Sequence, residues 1–258
     1  MRTLLLAPAL VLVARLGLAG DTLVATPTET IQRIKPSIVA VGTFQRPRSP
    51  AFNFSGTGFV VGDGSLIATN AHVLPKAVDS DRREILAIAV PGTNSDAQVR
   101  EVKTVAISKE FDIAVLKLEG PRLRPLALGD SSLVREGQDY LFTGFPIGAV
   151  LGLIPVTHKA MVSAVTPIAI PAANSSQLDA KTVKRLATGA YAIFQLDGTA
   201  YPGNSGSPLY QPETGDVVAI INMVFVKGSK ESALSQPSGI TYAIPIEPLK
   251  DLLQQIAR

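Results

Sequence analysis

Apolar residues along this chain come in short runs separated by turn-forming residues. Residues 37–44, 58–61, 65–69, 85–90, 99–107 and 113–118 each read as a strand. Gly62-Asp63-Gly64 joins the second and third of these as a hairpin. Residues 45–55, which contain Pro47 and Pro50, read as a loop, and residues 120–125 read as a linker between two halves. The second half repeats the style, with strands predicted at 140–144, 153–165, 190–196, 207–210, 217–226 and 239–244. Residues 166–185 predict a long surface loop with a helical turn near 179–185. Apart from that turn, helical signals stand at the two ends. Thr26 can cap, Pro27 suits a first helical turn, Glu29 completes a capping box, and Pro36 stops the helix. Leu249, Leu252, Leu253 and Ile256 follow helical spacing and predict an amphipathic helix over 247–257. Many short strands with two short helices predict an all-β fold.

Composition narrows the function classes. The chain has 258 residues, enough to bury a core without staples. Charged residues at 17% and hydrophobic ones at 46% exclude a disordered or coiled-coil chain. There is no cysteine, so disulfides and thiolate metal sites are excluded. The two histidines, His72 and His158, lie far apart, so neither a metal site nor a cofactor is expected. Net charge is +3 with no dense Lys/Arg cluster, which does not point to nucleic acid.

The first twenty residues stand apart. Arg2 precedes an apolar run, residues 4–14, and small residues Gly17 and Ala19 follow it. This predicts a secretory signal peptide at 1–19, although Arg15 is atypical of one. Its 11 apolar residues, at about 1.5 Å rise each, are too short for a bilayer core of about 30 Å. No later apolar run approaches 18 residues, so no membrane span is expected.

Three segments suggest chemistry. In Gly203-Asn204-Ser205-Gly206, a glycine two positions before a serine lets the chain turn tightly and aim backbone N–H groups at a developing oxyanion. The same residues also suit an ordinary β-turn. His72 follows a strand in Thr69-Asn70-Ala71-His72-Val73. Asp112 opens an apolar strand, where a carboxylate is costly unless it accepts hydrogen bonds, and a histidine N–H would satisfy it. Alone, Asp112 also reads as a surface strand end. His158, outside any motif, reads as an exposed strand residue.

The order His, Asp, Ser is that of chymotrypsin-like enzymes. The chain resembles the protease domain of the HtrA/Deg family, in GTGFVVGDGSLIATNAHVL, FDIAVLKL, LALGDSSLVREGQDYLFTGFPIG, QLDGTAYPGNSGSPLY and GITYAIP. The resemblance covers residue 26 to the C-terminus. It implies two six-stranded antiparallel β-barrels, at about 36–120 and 125–245, with catalytic groups in the cleft between them. It also implies Ser205 as nucleophile, His72 as general base and acid, Asp112 as its orienting partner, and the N–H groups of Gly203 and Ser205 as an oxyanion hole. Family members often carry PDZ domains and trimerise through N-terminal segments. This chain ends with its helix, so no PDZ domain is expected, and the resemblance leaves a homo-oligomer open.

The resemblance also implies that Thr199, six positions before the nucleophile, floors the primary specificity pocket, with Ala200, Tyr201 and residues 219–223 as walls. No carboxylate stands there, so cleavage is expected after small aliphatic residues of protein or peptide substrates. Ser207 replaces the commoner glycine, a GNSGSP form also similar to glutamyl endopeptidases. Those place a histidine on the strand after the nucleophile, and residues 217–226 have none. Asp197 aligns with a structural aspartate. Asn204 replaces the aspartate that zymogen activation needs. A catalytically silent binding protein on the same fold, or a non-peptidase acyl hydrolase, is the competing reading.

Overall fold

The computed structural model describes residues 25–92, 97–148, 152–167, 191–222 and 239–257. Strands β1 (Ile38–Phe44), β2 (Phe52–Val61), β3 (Leu66–Asn70), β4 (Ile85–Val90), β5 (Gln98–Ser108) and β6 (Ile113–Leu118) close a barrel in the order β1-β2-β3-β6-β5-β4. Strands β7 (Asp139–Gly144), β8 (Val156–Pro167), β9 (Ala192–Leu196), β10 (Pro208–Tyr210), β11 (Val217–Asn222) and β12 (Thr241–Pro245) close a second, in the order β7-β8-β9-β12-β11-β10. Neighbouring strands are antiparallel throughout both barrels. Closure leaves neither sheet with an open edge. Helix α1 (Pro27–Ile34) precedes the first barrel and α2 (Glu247–Ile256) follows the second. Neither is long and apolar enough to cross a membrane.

The apolar runs are continuous because many strands are buried on both faces. Along β1, Val39 and Val41 fill the first barrel, whereas Ile38 and Ala40 face a cluster shared by both barrels. On β6, Leu116 and Leu118 take the interior and Ile113 and Val115 the shared cluster. The second barrel divides in the same way, with Leu209 inside and Tyr210 in the shared cluster. That shared cluster also takes Leu249 and Leu252 of α2. Strands such as β1, β6 and β10 thus contribute to two cores at once, which joins the barrels along one hydrophobic seam.

The expected boundaries shift in places. Residues 45–55 divide into a turn, closed by Gln45 N–H donating to the Ala51 carbonyl at 2.9 Å, and the start of β2. Phe52, Asn53 and Phe54 pair with Phe44, Thr43 and Gly42, and a bulge at Val41/Gly42 absorbs the offset. β8 starts after Pro155, which has no N–H for a ladder. The linker is docked: the N–H groups of Leu123 and Leu126 donate to the carbonyls of Gly64 and Val60, both at 2.9 Å. The loop expected at 166–185 lies outside the described residues beyond Pro167, as does the signal segment.

The end helices cross over. α1 leads into the first barrel, yet Arg33 donates to the Thr214 carbonyl at 2.6 Å and Thr30 Oγ1 to the Glu213 carbonyl at 3.3 Å, both in the β10–β11 turn. α2 leaves the second barrel and packs on β5 and β6 of the first.

Candidate active site

His72 and Asp112 come together because β3 and β6 pair, with Asn70 opposite Ile113. His72 sits in a single 3₁₀ turn, Ala71–Val73, just past the end of β3. Asp112 sits just before β6 at φ +52°, a left-handed conformation that aspartate tolerates better than most residues. Its carbonyl accepts from Ala71 N–H and from Asn70 Nδ2, each at 3.0 Å. The carboxylate turns back on His72, with Oδ1 accepting from His72 N–H at 2.9 Å and Oδ2 lying 2.6 Å from His72 Nδ1. Asn222 Nδ2, from the end of β11 in the second barrel, donates to the same Oδ2 at 2.7 Å. A carboxylate that accepts at both oxygens holds Nδ1 protonated, so Nε2 is the nitrogen free to take a proton. Asn222 also makes the geometry of this pair depend on both barrels.

Ser205 is buried, at 7% exposure, in the loop between β9 and β10. Its carbonyl accepts from Thr57 N–H of β2 at 2.9 Å, and the next residue, Gly206, donates its N–H to Ile221 O at 2.9 Å. The loop is therefore wedged between the barrels. A Cβ added to Gly56 would lie 3.1 Å from the Ser205 carbonyl and 2.7 Å from Val73, the residue after His72. The Ser205 loop and the His72 turn thus flank the same glycine. Among the described residues, Ser205 Oγ makes no hydrogen bond to His72.

The N–H directions around Ser205 follow from peptide planarity. In a trans peptide the N–H points opposite to the C=O, so fixing the carbonyl fixes the N–H. The Pro202 carbonyl accepts from Ile147 N–H at 2.7 Å, and the Asn204 carbonyl from Ser207 N–H at 3.0 Å. The N–H groups of Gly203 and Ser205 belong to these two peptides and donate to no described residue. Gly203 stands at φ +103°, and a Cβ there would meet the Phe145 carbonyl at 2.3 Å, so only glycine fits.

Thr199 and Tyr201 are half-buried and Ala200 is buried, its N–H donating to Thr241 Oγ1 of β12 at 2.9 Å. The expected pocket wall at 219–223 is described only to Asn222. Asp197 Oδ1 accepts from Met161 N–H at 2.7 Å, tying this segment to β8.

His158 requires a correction. It is not an exposed strand residue: it stacks on Phe142, with ring centroids 4.9 Å apart and planes 17° apart, and Tyr201 lies 6.4 Å away. Burial holds its pKa below the ordinary imidazole value, and its buried Nε2 has no described partner. Pairing of β7 with β8 sets it opposite Phe142, a register the strand's own residues do not reveal.

Asn222 was absent from the sequence-based set. In sequence it is only an asparagine ending an apolar run, and its full burial at the end of Val217–Asn222 shows only in the fold. No group of three His, Cys, Asp or Glu among the described residues could hold a metal ion.

Comparison with known proteins identifies the family. The chain is 28% identical over 221 residues to a probable periplasmic serine endoprotease DegP-like of Pseudomonas putida, covering 83% of this chain and 38% of that protein. It is 30% identical over 202 residues to the protein of the same description from Halomonas elongata, covering 78% and 35%. Protease Do-like 1, chloroplastic, of Arabidopsis thaliana is 27% identical over 208 residues, covering 79% and 39%. The chain thus spans less than half the length of these relatives. A solved HtrA-type protease with a tripeptide shares the fold at a TM-score of 0.62 and 23% identity, covering 90% of this chain and 64% of that one. The profile of the trypsin-like peptidase domain matches residues 56–220, more than half of the 258, and the chain belongs to that family, in a form similar to the HtrA/DegP proteases.

Proposed function

We propose that this protein is a serine endopeptidase. Ser205 Oγ attacks the scissile carbonyl while His72 Nε2 takes its proton, and His72 gives that proton to the leaving amine as the C–N bond breaks and the acyl-enzyme forms. His72 then takes a proton from water as the water attacks the ester, and returns it to Ser205 Oγ as the acid product leaves. Asp112 holds the imidazole in the tautomer with Nδ1 protonated and stabilises the imidazolium. The N–H groups of Gly203 and Ser205 bind the oxyanion. The observation that carries this reading is the Asp112 carboxylate, which accepts from His72 at both oxygens and leaves only Nε2 to act as a base.

Specificity rests on the lining. Thr199 and Ala200 offer no charge, so an entering Lys or Arg would lose its hydration without a partner, at a cost of several kcal/mol. Small aliphatic side chains gain about 25 cal/mol per Å² buried. Cleavage therefore falls after Val, Ala, Ile, Leu or Thr in unfolded or flexible protein. The relatives' periplasmic description and the basic–apolar–small pattern of residues 2–19 support export, with a mature N-terminus at Gly20 or Asp21.

The test is a peptide-library digest run beside Ser205→Ala. The proposal expects cleavage after small aliphatic residues and a loss on the order of 10⁴-fold or more in the variant. Turnover retained without the Ser205 hydroxyl would remove the triad. Dominant cleavage after Arg, Lys or Glu would remove only the pocket assignment.

A further inference from the structure

Thr57 lies on β2, opposite Ala40, and is fully buried. Its polar atoms are all engaged, and three of its four bonds run to the second barrel. Its N–H donates to the Ser205 carbonyl at 2.9 Å. Its Oγ1 donates to the Gly203 carbonyl at 2.7 Å and accepts from Phe145 N–H at 3.1 Å. Its own carbonyl accepts from Thr69 Oγ1 at 2.7 Å. Thr57 therefore holds the carbonyls of the same two residues whose N–H groups form the proposed oxyanion hole.

Gly203 most needs such a hold. It has no side chain to pack, and glycine has the broadest backbone freedom of any residue. The peptide before it is tied at the Pro202 carbonyl, and the peptide after it at Asn204 N–H, which donates to the Tyr201 carbonyl at 2.9 Å. The Gly203 carbonyl is the other edge of that second peptide, and Thr57 Oγ1 is its side-chain donor among the described residues, so the peptide is held from both edges. A buried hydroxyl that accepts from one backbone group has its proton directed at the other, so the Thr57 Oγ1–Gly203 bond is directional as well as short.

We propose that Thr57 is a positioning residue for the oxyanion hole, its hydroxyl setting the orientation of Gly203 from the opposite barrel. This rests on the peptidase reading above. Thr57→Val keeps the shape and removes the hydroxyl, leaving the Gly203 carbonyl and Phe145 N–H unpaired. Removing an oxyanion donor outright costs about 10²–10³-fold in kcat, so loosening one should cost about 10- to 100-fold.

The experiment measures kcat and KM on a cleaved peptide, affinity for a peptide boronate, and thermal unfolding, for wild type, Thr57→Val and Thr57→Ser. The expected result is a kcat fall of about 10- to 100-fold with KM within about threefold. Boronate affinity should fall in parallel with kcat/KM, and Thr57→Ser should be within a few-fold of wild type. Should the valine variant not fold, Thr57→Ala set against Thr57→Ser makes the same comparison. A lowered melting temperature with kcat/KM per folded molecule unchanged would overturn the proposal and leave Thr57 a purely structural clamp. Wild type without turnover, and without Ser205 labelling by a fluorophosphonate, would instead overturn the peptidase reading and the proposal with it.

Discussion

Replacing Asp112 by asparagine removes one charge and almost no volume, and the hydrogen-bond geometry dictates the outcome. Three donors converge on the carboxylate: His72 N–H at Oδ1, and His72 Nδ1 and Asn222 Nδ2 at Oδ2. An asparagine has one acceptor oxygen and must place its NH₂ on one side. With NH₂ at the Oδ1 side it faces the His72 N–H, a backbone donor that cannot reverse. With NH₂ at the Oδ2 side it faces Asn222, whose amide can rotate to present oxygen, and His72, whose imidazole can shift its proton. An unsatisfied part-buried donor costs about 1–3 kcal/mol, so the second arrangement wins. It puts the imidazole proton on Nε2, where no base remains for Ser205. The expected result is a folded protein with kcat reduced about 10⁴-fold, equivalent to about 5.5 kcal/mol of barrier. Steady-state cleavage of a fluorogenic peptide reads the loss, a thermal melt checks folding, and ¹⁵N imidazole shifts report the tautomer. Activity within tenfold of wild type, or an Nδ1 proton retained in the variant, would refute this account of the site.

Three further outcomes are expected. Gly144→Ala places a Cβ 2.0 Å from Ser207 Oγ, 2.8 Å from Thr57 Oγ1 and 2.9 Å from Asn204 Oδ1, so it should cost about 1–3 kcal/mol and most activity. Adding Ser207→Gly removes the worst clash and should recover much of both, and strict additivity in denaturant melts would count against it. The Glu84 carboxyl, held by the Thr43 hydroxyl, Asp79 N–H and Arg48, is lowered from the ordinary 4.5 to about 2. Its stabilisation, on the order of 1 kcal/mol after solvent screening, is complete above the ordinary value and lost as pH falls through about 2. Glu84→Gln should flatten that part of the urea-stability profile, and an unchanged profile would discount the network. His158→Ala should keep turnover within a few-fold while lowering the melting temperature through loss of the Phe142 stack. With the folded His158 pKa lowered, wild-type stability should also decline as pH falls below the ordinary imidazole value, and the variant should lose that decline. A collapse of turnover would place His158 in the machinery.

Legibility in the sequence varied with how local the cause was. The capping box at Thr26 and Glu29 is formed as expected, with Thr26 N–H donating to Glu29 Oε2 at 2.8 Å, because every atom involved lies within one turn. Strands β4 and β6 match the reading residue for residue, since glycine, proline or charge bounds an apolar run at each end. Phe52-Asn53-Phe54 has the alternation of a strand, but Pro47 and Pro50 just upstream made the whole stretch read as loop. Pairing with β1 across a bulge decides it, and that pairing is tertiary. His72 and Asp112 could be singled out from local chemistry, a histidine after a strong strand and a carboxylate opening an apolar one. Asn222 and Thr57 could not, because their partners lie on the opposite barrel and only closure of both barrels brings them close.

The crossed end helices carry a consequence for the order in which the chain can mature. Thr30 finds its partner, the Glu213 carbonyl, 183 residues downstream, and Arg33 finds Thr214 181 residues downstream. On a ribosome, α1 and the whole first barrel emerge long before that turn exists. An eight-residue helix is marginal in water without tertiary contacts, and α1 lacks its polar anchors in that turn until the second barrel is made. Likewise α2, which packs on β5 and β6, is made only after the whole of the barrel it covers. The cleft around His72 and Asp112, which takes Asn222 and the Ser205 loop from the second barrel, therefore cannot assemble on a chain that has been made only as far as the first.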